Sequence, residues 1–378
     1  MTDQDIRSLW RLAESRCDAA SWSRLAHALI RVERFEDAGH ALVRARAVGE
    51  ADPAMEDALE SLRVASFAAR SIASTDVGIE SLAWTPDGRR LLLATAQHSL
   101  LALEVATGTL APVARLDGPI GAMATSLDSS FAWVCWLDGL TVQGVARLAR
   151  VDLTSAACES VAVLTNHRPD QVAGWLAGAR AVVVTGYDTA TVVGDGPPRV
   201  VAEIAGHSNQ VVLGWNGSAF AVSQEDVEVY PALEDVPARS LTLDPDASWG
   251  HGHLLALTRP TLHGARLEGR LAFATERGAR SFIERLSILG KLHGVSGDLY
   301  SAGPDPERPQ ALHVSPGGRY AAWLGLDRLE LVDLLAGERK VLTALASDAD
   351  SVPAISWSPC GRKLAFARGG SLWIAQGA

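Results

Sequence analysis

The residue types that most often carry chemistry are thinly spread along this chain. His251-Gly-His253, with Asp246 nearby, is the one local cluster of metal-ligand types. Two histidines at i and i+2 of an extended strand can face one side. A structural or catalytic zinc needs three or four ligands, and no further ligand stands at a recognisable spacing. No metal and no cofactor are therefore expected. His207 and Asp226 could serve as an acid–base pair, and a buried structural pairing is the competing use. Cys17, Cys135, Cys158 and Cys360 lie far apart with no CxxC pair. They suggest neither a zinc ribbon nor a disulfide framework and suit a reducing cytoplasm. There is no GxSxG elbow, HExxH pair, Walker loop or dinucleotide fingerprint, which removes the common hydrolase, metalloprotease and nucleotide-binding signatures.

The charge balance narrows the partners. The 378 residues are 48% hydrophobic and 21% charged, and carry a formal net charge of -10. Such a chain can bury a large core. It lacks the cationic surplus that general binding to nucleic acid or anionic membrane requires. Lysine occurs only at Lys291, Lys340 and Lys363, while Ala and Arg abound, a bias like that of a high-GC bacterial genome. The start, Met1-Thr-Asp-Gln-Asp, has no basic and then apolar run of a secretory signal. No stretch reaches the roughly 18–20 apolar residues of a membrane span.

Two regions differ in period. Over residues 1–62 apolar positions recur every three or four residues: Ile6, Leu9, Trp10 and Ala13, then Trp22, Leu25, Ala26 and Leu29, then Ala38, Leu42 and Ala45. This predicts helices, with Ser21 as an N-cap and Gly49 as a stop. The set Trp22, Leu25, Ala26, Leu29, Phe35, Ala38, Leu42 and Ala45 resembles one tetratricopeptide repeat, in which small residues let two antiparallel helices approach. The Pro of that family is absent at its usual place, and Pro53 comes three residues late. A plain helical hairpin packed on something else is the alternative, because single repeats bury their faces on neighbours.

From residue 63 the chain becomes short apolar runs between Gly, Asp, Pro and Ser turns. Leu82-Ala-Trp-Thr-Pro-Asp-Gly-Arg and Ile355-Ser-Trp-Ser-Pro-Cys-Gly-Arg are strand–turn–strand copies, and Leu312-His-Val-Ser-Pro-Gly-Gly-Arg is a third. With weaker copies included, the turns fall at 88, 129, 178, 217, 269, 318 and 361. A repeat of about 40–50 residues is the mark of a propeller. Seven turns predict a mainly β chain with seven blades of four strands, preceded by the short α-helical segment. Residues 63–378 resemble the WD40 and TolB-type propellers. Gly206-His207, Trp215, Asp226 and Tyr230 carry the WD40 likeness, and the Ser-Pro-Asp-Gly type of turn carries the TolB one. The last blade has three strands before the chain ends, so residues 63–72 are expected to supply its fourth and close the ring, with the helices at the junction of the first and last blades.

Trp84, Trp175, Trp215 and Trp357 share one repeat position and are expected to pack between blades, as are His207 and Asp226 within theirs. The loops of one predicted face collect Asp117, Asp170, Tyr187, Asp188, Asp244, Asp246, Trp249, His251, His253, Asp305, Asp348 and Asp350. Asp is also simply a good turn residue. As a binding face, these loops would suit a basic peptide or protein surface. The innermost strands read mostly Ala, Val, Leu, Ser and Gly, which disfavours chemistry in the channel. The expectation is a non-catalytic adaptor, scaffold or sensor subunit in a bacterial cytoplasm. A small-ligand or metal-binding propeller using its central channel, with or without catalysis, is the rival. An assembly subunit oligomerising through its helices is the third reading.

Overall fold

The computed structural model describes residues 3–32, 35–49, 54, 57, 58, 60, 62–126, 129–138, 145–164, 311–315, 319–324, 328–333, 338–344 and 354–377, together with the backbone of the strands given below between 165 and 310. Among the described residues the chain opens with the helices α1 Asp3–Arg16, α2 Ala19–Arg31 and α3 Phe35–Val48, and residues 54, 57, 58 and 60 are helical as well. The cap of α2 is Asp18, one turn before the expected Ser21; its carboxylate accepts the Ser21 amide at 2.6 Å. That bond holds the Asp18 carboxyl below its ordinary pKa, as expected where a helix start favours the anion. Ile6, Trp10 and Ala13 of α1 share one core with Trp22, Leu25, Ala26, Leu29, Ala38, Leu42, Ala45 and Leu62. Trp10 meets Trp22 edge to face, with ring centroids 5.6 Å apart. The side chain of Phe35 lies outside the described residues.

After a 3-10 turn at Val64–Ser66 come, among the described residues, twenty-eight strands in seven four-stranded antiparallel sheets. The first strand, β1 Ala68–Ser74, is set apart. Blade one is β2 Ile79–Trp84, β3 Arg90–Thr95, β4 Ser99–Glu104 and β5 Thr109–Arg115. Blade two is β6 Ile120–Thr125, β7 Phe131–Asp138, β8 Val145–Asp152 and β9 Cys158–Leu164. Blade three is β10 Gln171–Ala173, β11 Val182–Thr185, β12 Thr189–Val193 and β13 Arg199–Glu203. Blade four is β14 Gln210–Leu213, β15 Ala219–Val222, β16 Asp226–Tyr230 and β17 Arg239–Thr242. Blade five is β18 Leu254–His263, β19 Arg266–Arg277, β20 Arg280–Ser287 and β21 Asp298–Gly303. Blade six is β22 Ala311–Val314, β23 Tyr320–Leu324, β24 Arg328–Asp333 and β25 Glu338–Ala344. The last sheet runs β1–β28–β27–β26, with β26 Ala354–Trp357, β27 Lys363–Arg368 and β28 Ser371–Gln376. The leading strands β2, β6, β10, β14, β18, β22 and β26 neighbour one another in that order, and β26 lies beside β2. The sheets therefore form a closed ring, a seven-bladed propeller.

Each described turn after a leading strand is built by a hydroxyl. Thr85, Ser126, Ser315 and Ser358 accept the amides of Arg90, Phe131, Tyr320 and Lys363, at 3.0, 3.1, 3.0 and 3.0 Å. The repeat is thus carried by Ser or Thr as much as by the Pro and Gly that mark it. Gly88 and Gly361 take φ of 67° and 73° there, and Ser129 takes 60° in the blade-two turn that lacks Gly. Replacing the hydroxyl leaves a part-buried amide without its acceptor. Ser358→Ala is expected to lower unfolding free energy by about 1–2 kcal/mol. Urea unfolding should show an earlier midpoint with unchanged slope, and an unmoved midpoint would sink this account.

Three further details differ from expectation. The blade-five turn was expected at 269, but 269 lies inside β19, and the hairpin reverses after His263, which pairs with Arg266. A register shift interrupts the pairing of that hairpin between Thr258 and Thr261. The strand paired with β28 begins at Ala68 and not at 63, because Val64–Ser66 curl into the 3-10 turn. The helical segment rests on the sixth and last blades, and not on the first and last. Leu62 O accepts from Tyr320 OH, Val64 and Phe67 enter the core between blades six and seven, and Gly39 of α3 lies on the Arg319 guanidinium. The reason is topological: β1 is the outermost strand of the last blade and lies next to β25, the outermost strand of the sixth.

Candidate functional site

In an antiparallel blade the connections alternate between the two ends. The turns β2–β3 and β4–β5 lie on one face of the ring, and the β3–β4 turn and the interblade connection on the other. Arg319, in the β22–β23 turn, and Glu338, at the start of β25, both belong to the first face, so the helices cover part of it. The other face, described at 75–78, 96–98, 116–119 and 369–370, carries the expected binding loops. It is tied together by backbone bonds: Thr75 N to Gly370 O at 2.8 Å, Ile79 N to Gly369 O at 2.8 Å and Leu116 N to His98 O at 2.9 Å.

Of the expected face residues, Asp117 is described: it is exposed on the connection between β5 and β6. Asp170, Tyr187, Asp188, Asp244, Asp246, Trp249, His251, His253, Asp305, Asp348 and Asp350 lie outside the described residues, as do Trp175, His207, Trp215 and the side chain of Asp226. Trp84 and Trp357 end their leading strands and reach across to the preceding blade. Trp84 Nε1 donates to Ser356 O at 3.0 Å, and Trp357 Nε1 donates to His313 O at 2.8 Å. Thr125, at the same place in blade two, donates from Oγ1 to Trp84 O at 2.9 Å.

One feature of the open face was missed in the sequence. Glu80 is an extra residue in β2: Ile79 pairs with Thr95 and Ser81 with Ala94. The same bulge recurs at Gly121 of β6, where Ile120 pairs with Trp136 and Ala122 with Cys135. It recurs between Leu254 and Ala256 of β18. Bulges re-aim side chains and gather beside active sites. Glu80 is exposed, on an innermost strand, at the end nearest the interblade connections. Asp76 and Asp117 are exposed on the same face, with Arg115 and Arg368 at strand ends. The available signal was a charge in the second position of an otherwise uncharged leading strand.

Other reactive groups are quiet. Burial pushes the Cys135 thiol up to about 12, so it is protonated at neutral pH and a poor nucleophile. Burial lowers the His313 imidazole from its ordinary value, keeping it neutral. Among the described residues no three His, Cys, Asp or Glu side chains gather as metal ligands. No described helix is long and apolar enough to cross a membrane.

No protein-family model matches the chain. No curated protein matches it either. Among solved structures it is similar to an oligogalacturonate lyase from Vibrio parahaemolyticus, with a TM-score of 0.59 and 11% identity, covering 82% of this chain and 93% of that one. That likeness shows the fold. It also overturns the expectation of a non-catalytic adaptor and of a chain that is not an enzyme, since the similar ring is a lyase. The expectation rested on the residue content of the innermost strands. Content is the wrong measure, because a single bulge turns one carboxylate outward in a strand of apolar residues, and a fold does not determine its chemistry.

Proposed function

We propose that this propeller binds a small ligand at the mouth of its ring, on the face opposite the helices, and catalyses a reaction of that ligand there. The observation that carries the reading is Glu80, held outward by a bulge on an innermost strand at the open mouth. The likeness to a lyase of oligogalacturonate supports a saccharide as the ligand class. Exposed Asp76, Glu80 and Asp117 make direct contact with a polyanionic sugar unfavourable, so a neutral saccharide suits the described part of the mouth better. The buried packing of Leu25, Ala26, Leu29, Ala38, Leu42 and Ala45 supports reading α2 and α3 as one tetratricopeptide-like unit. The Ser and Thr turns support blades of the WD40 or TolB type, and the four free thiols suit a reducing cytoplasm.

Glu80→Gln tests the site with little change of shape. Against a panel of neutral and uronic oligosaccharides, it is expected to lose at least about tenfold in kcat/KM or in affinity, the worth of a hydrogen bond to a charged group, with no change in thermal midpoint. A wild-type chain that neither binds nor turns over any member of the panel would overturn the proposal.

A further inference from the structure

Residue 60 and residues 62–67 belong to a strap between the helical core and the closing seam of the ring. Its apolar side chains plug both: Leu62 belongs to the helical core, and Val64 and Phe67 to the core between blades six and seven. Its polar groups grip blade six. Arg63 holds Glu338 with two nitrogens, Nε to Oε2 at 3.1 Å and Nη2 to Oε1, and holds Glu60 at 2.8 Å through Nη1. Lys340 Nζ donates to Ala65 O at 2.8 Å and to Phe67 O. Tyr320 OH donates to Leu62 O.

The strand that follows is weakly held by comparison. None of the seven residues of β1 is buried. Its backbone ladder with β28 shifts register between Ser71 and Ala73. Ala69, Ile72 and Ala73 pack against the flanking cores only partly buried, so this outermost strand contributes less hydrophobic attachment than a buried one would. The buried anchors of this stretch of chain are Leu62, Val64 and Phe67, which precede it.

We infer that the strap is a lock on the ring: its docking on blade six holds β1 in the last blade, so the helical segment and the closing strand engage and release as one unit. The polar grip of the lock is ionic and open to solvent, beside its buried apolar anchors. The Arg63 and Glu338 side chains keep 42% and 29% of their surface exposed, so dissolved ions reach them. Whatever draws the helices away strips β28 of its partner at the blade that borders blade one. The helices are thus a handle on ring closure, in place of an independent module.

Hydrogen–deuterium exchange on the full chain reads this directly and needs no ligand. In Glu338→Arg, and in wild type at about 1 M salt, which screens exposed pairs, the amides of 68–74 and 371–376 are expected to exchange about three- to tenfold faster. Those of 91–95 and 131–136 should keep their wild-type rates. The charge swap R63E/E338R should recover part of the protection, Glu60 still opposing the new carboxylate. Faster exchange confined to the helices, with the seam unchanged, overturns the lock. So does a uniform acceleration in every blade, which would mean global destabilisation, or failure of the swap to recover any protection.

Discussion

Asp333→Ala is expected to lose about 3–5 kcal/mol of unfolding free energy, the cost of leaving a buried charge without its counter-ion. Asp333 accepts from Arg319 through Oδ2, at 3.2 Å from Nε and 2.9 Å from Nη2, and the two side chains are 0% and 2% exposed. Arg319 cannot turn to water without displacing α3. A Cβ on Gly39 would sit 1.8 Å from Arg319 Nη1, so the helix backbone lies directly on the guanidinium. The Arg319 guanidinium also lies over the Tyr320 ring at 5.1 Å, so its displacement would disturb the hydroxyl that reaches Leu62. Denaturant unfolding followed by circular dichroism measures the loss. A change under about 1 kcal/mol would show that water or a rearranged helix satisfies the arginine at small cost. Changing both residues to apolar ones of similar volume should cost less than the single change, because no orphaned charge remains.

Phe67→Ala ranks beside it, with an expected loss of about 3–5 kcal/mol for a fully buried aromatic ring. Phe67 is 0% exposed and meets Tyr320 edge to face at 5.3 Å. Tyr320 in turn stacks on Trp357 at 6.1 Å, so the cavity would open in the middle of a run of rings between blades six and seven. Phe67→Leu keeps most of the volume and should cost less than about 1.5 kcal/mol. Scanning calorimetry of the two variants decides the matter: equal losses would mean that the ring's shape, and not its buried volume, is what the site requires.

The propeller was legible because its signals are local and repeated. Turn chemistry recurring at nearly constant spacing names the number of blades, and the period-three-and-four apolar pattern marks α1 to α3. The misplaced turn in blade five shows the limit of that method. Leu267-Glu-Gly-Arg reads as a turn by composition, yet the longer hairpin pairs Leu267 with Leu262 and Arg266 with His263. Pairing register is a property of two strands, and one strand's sequence does not state it. The seat of the helices was illegible for a similar reason. Arg63, Glu338 and Lys340 look like ordinary surface charges, and their meeting is fixed by the return of the chain 275 residues later. Glu80 was passed over because an apolar strand was read by content. Its outward aim comes from a bulge, which depends on β3 as much as on β2.

The bonds between neighbouring leading strands have a direction. Thr125 donates to Trp84, Trp84 to Ser356, and Trp357 to His313, always from a blade to the one before it around the ring. The step from Trp84 to Ser356 crosses from the start of the chain to its end, and it is made as the step from Trp357 to His313 is made. Among the described residues the inner wall therefore has a rotational sense without an origin. A circular permutant with its ends moved to another blade would inherit these three bonds unchanged. The seam of the ring shows instead at its outer rim, where β1 pairs with β28.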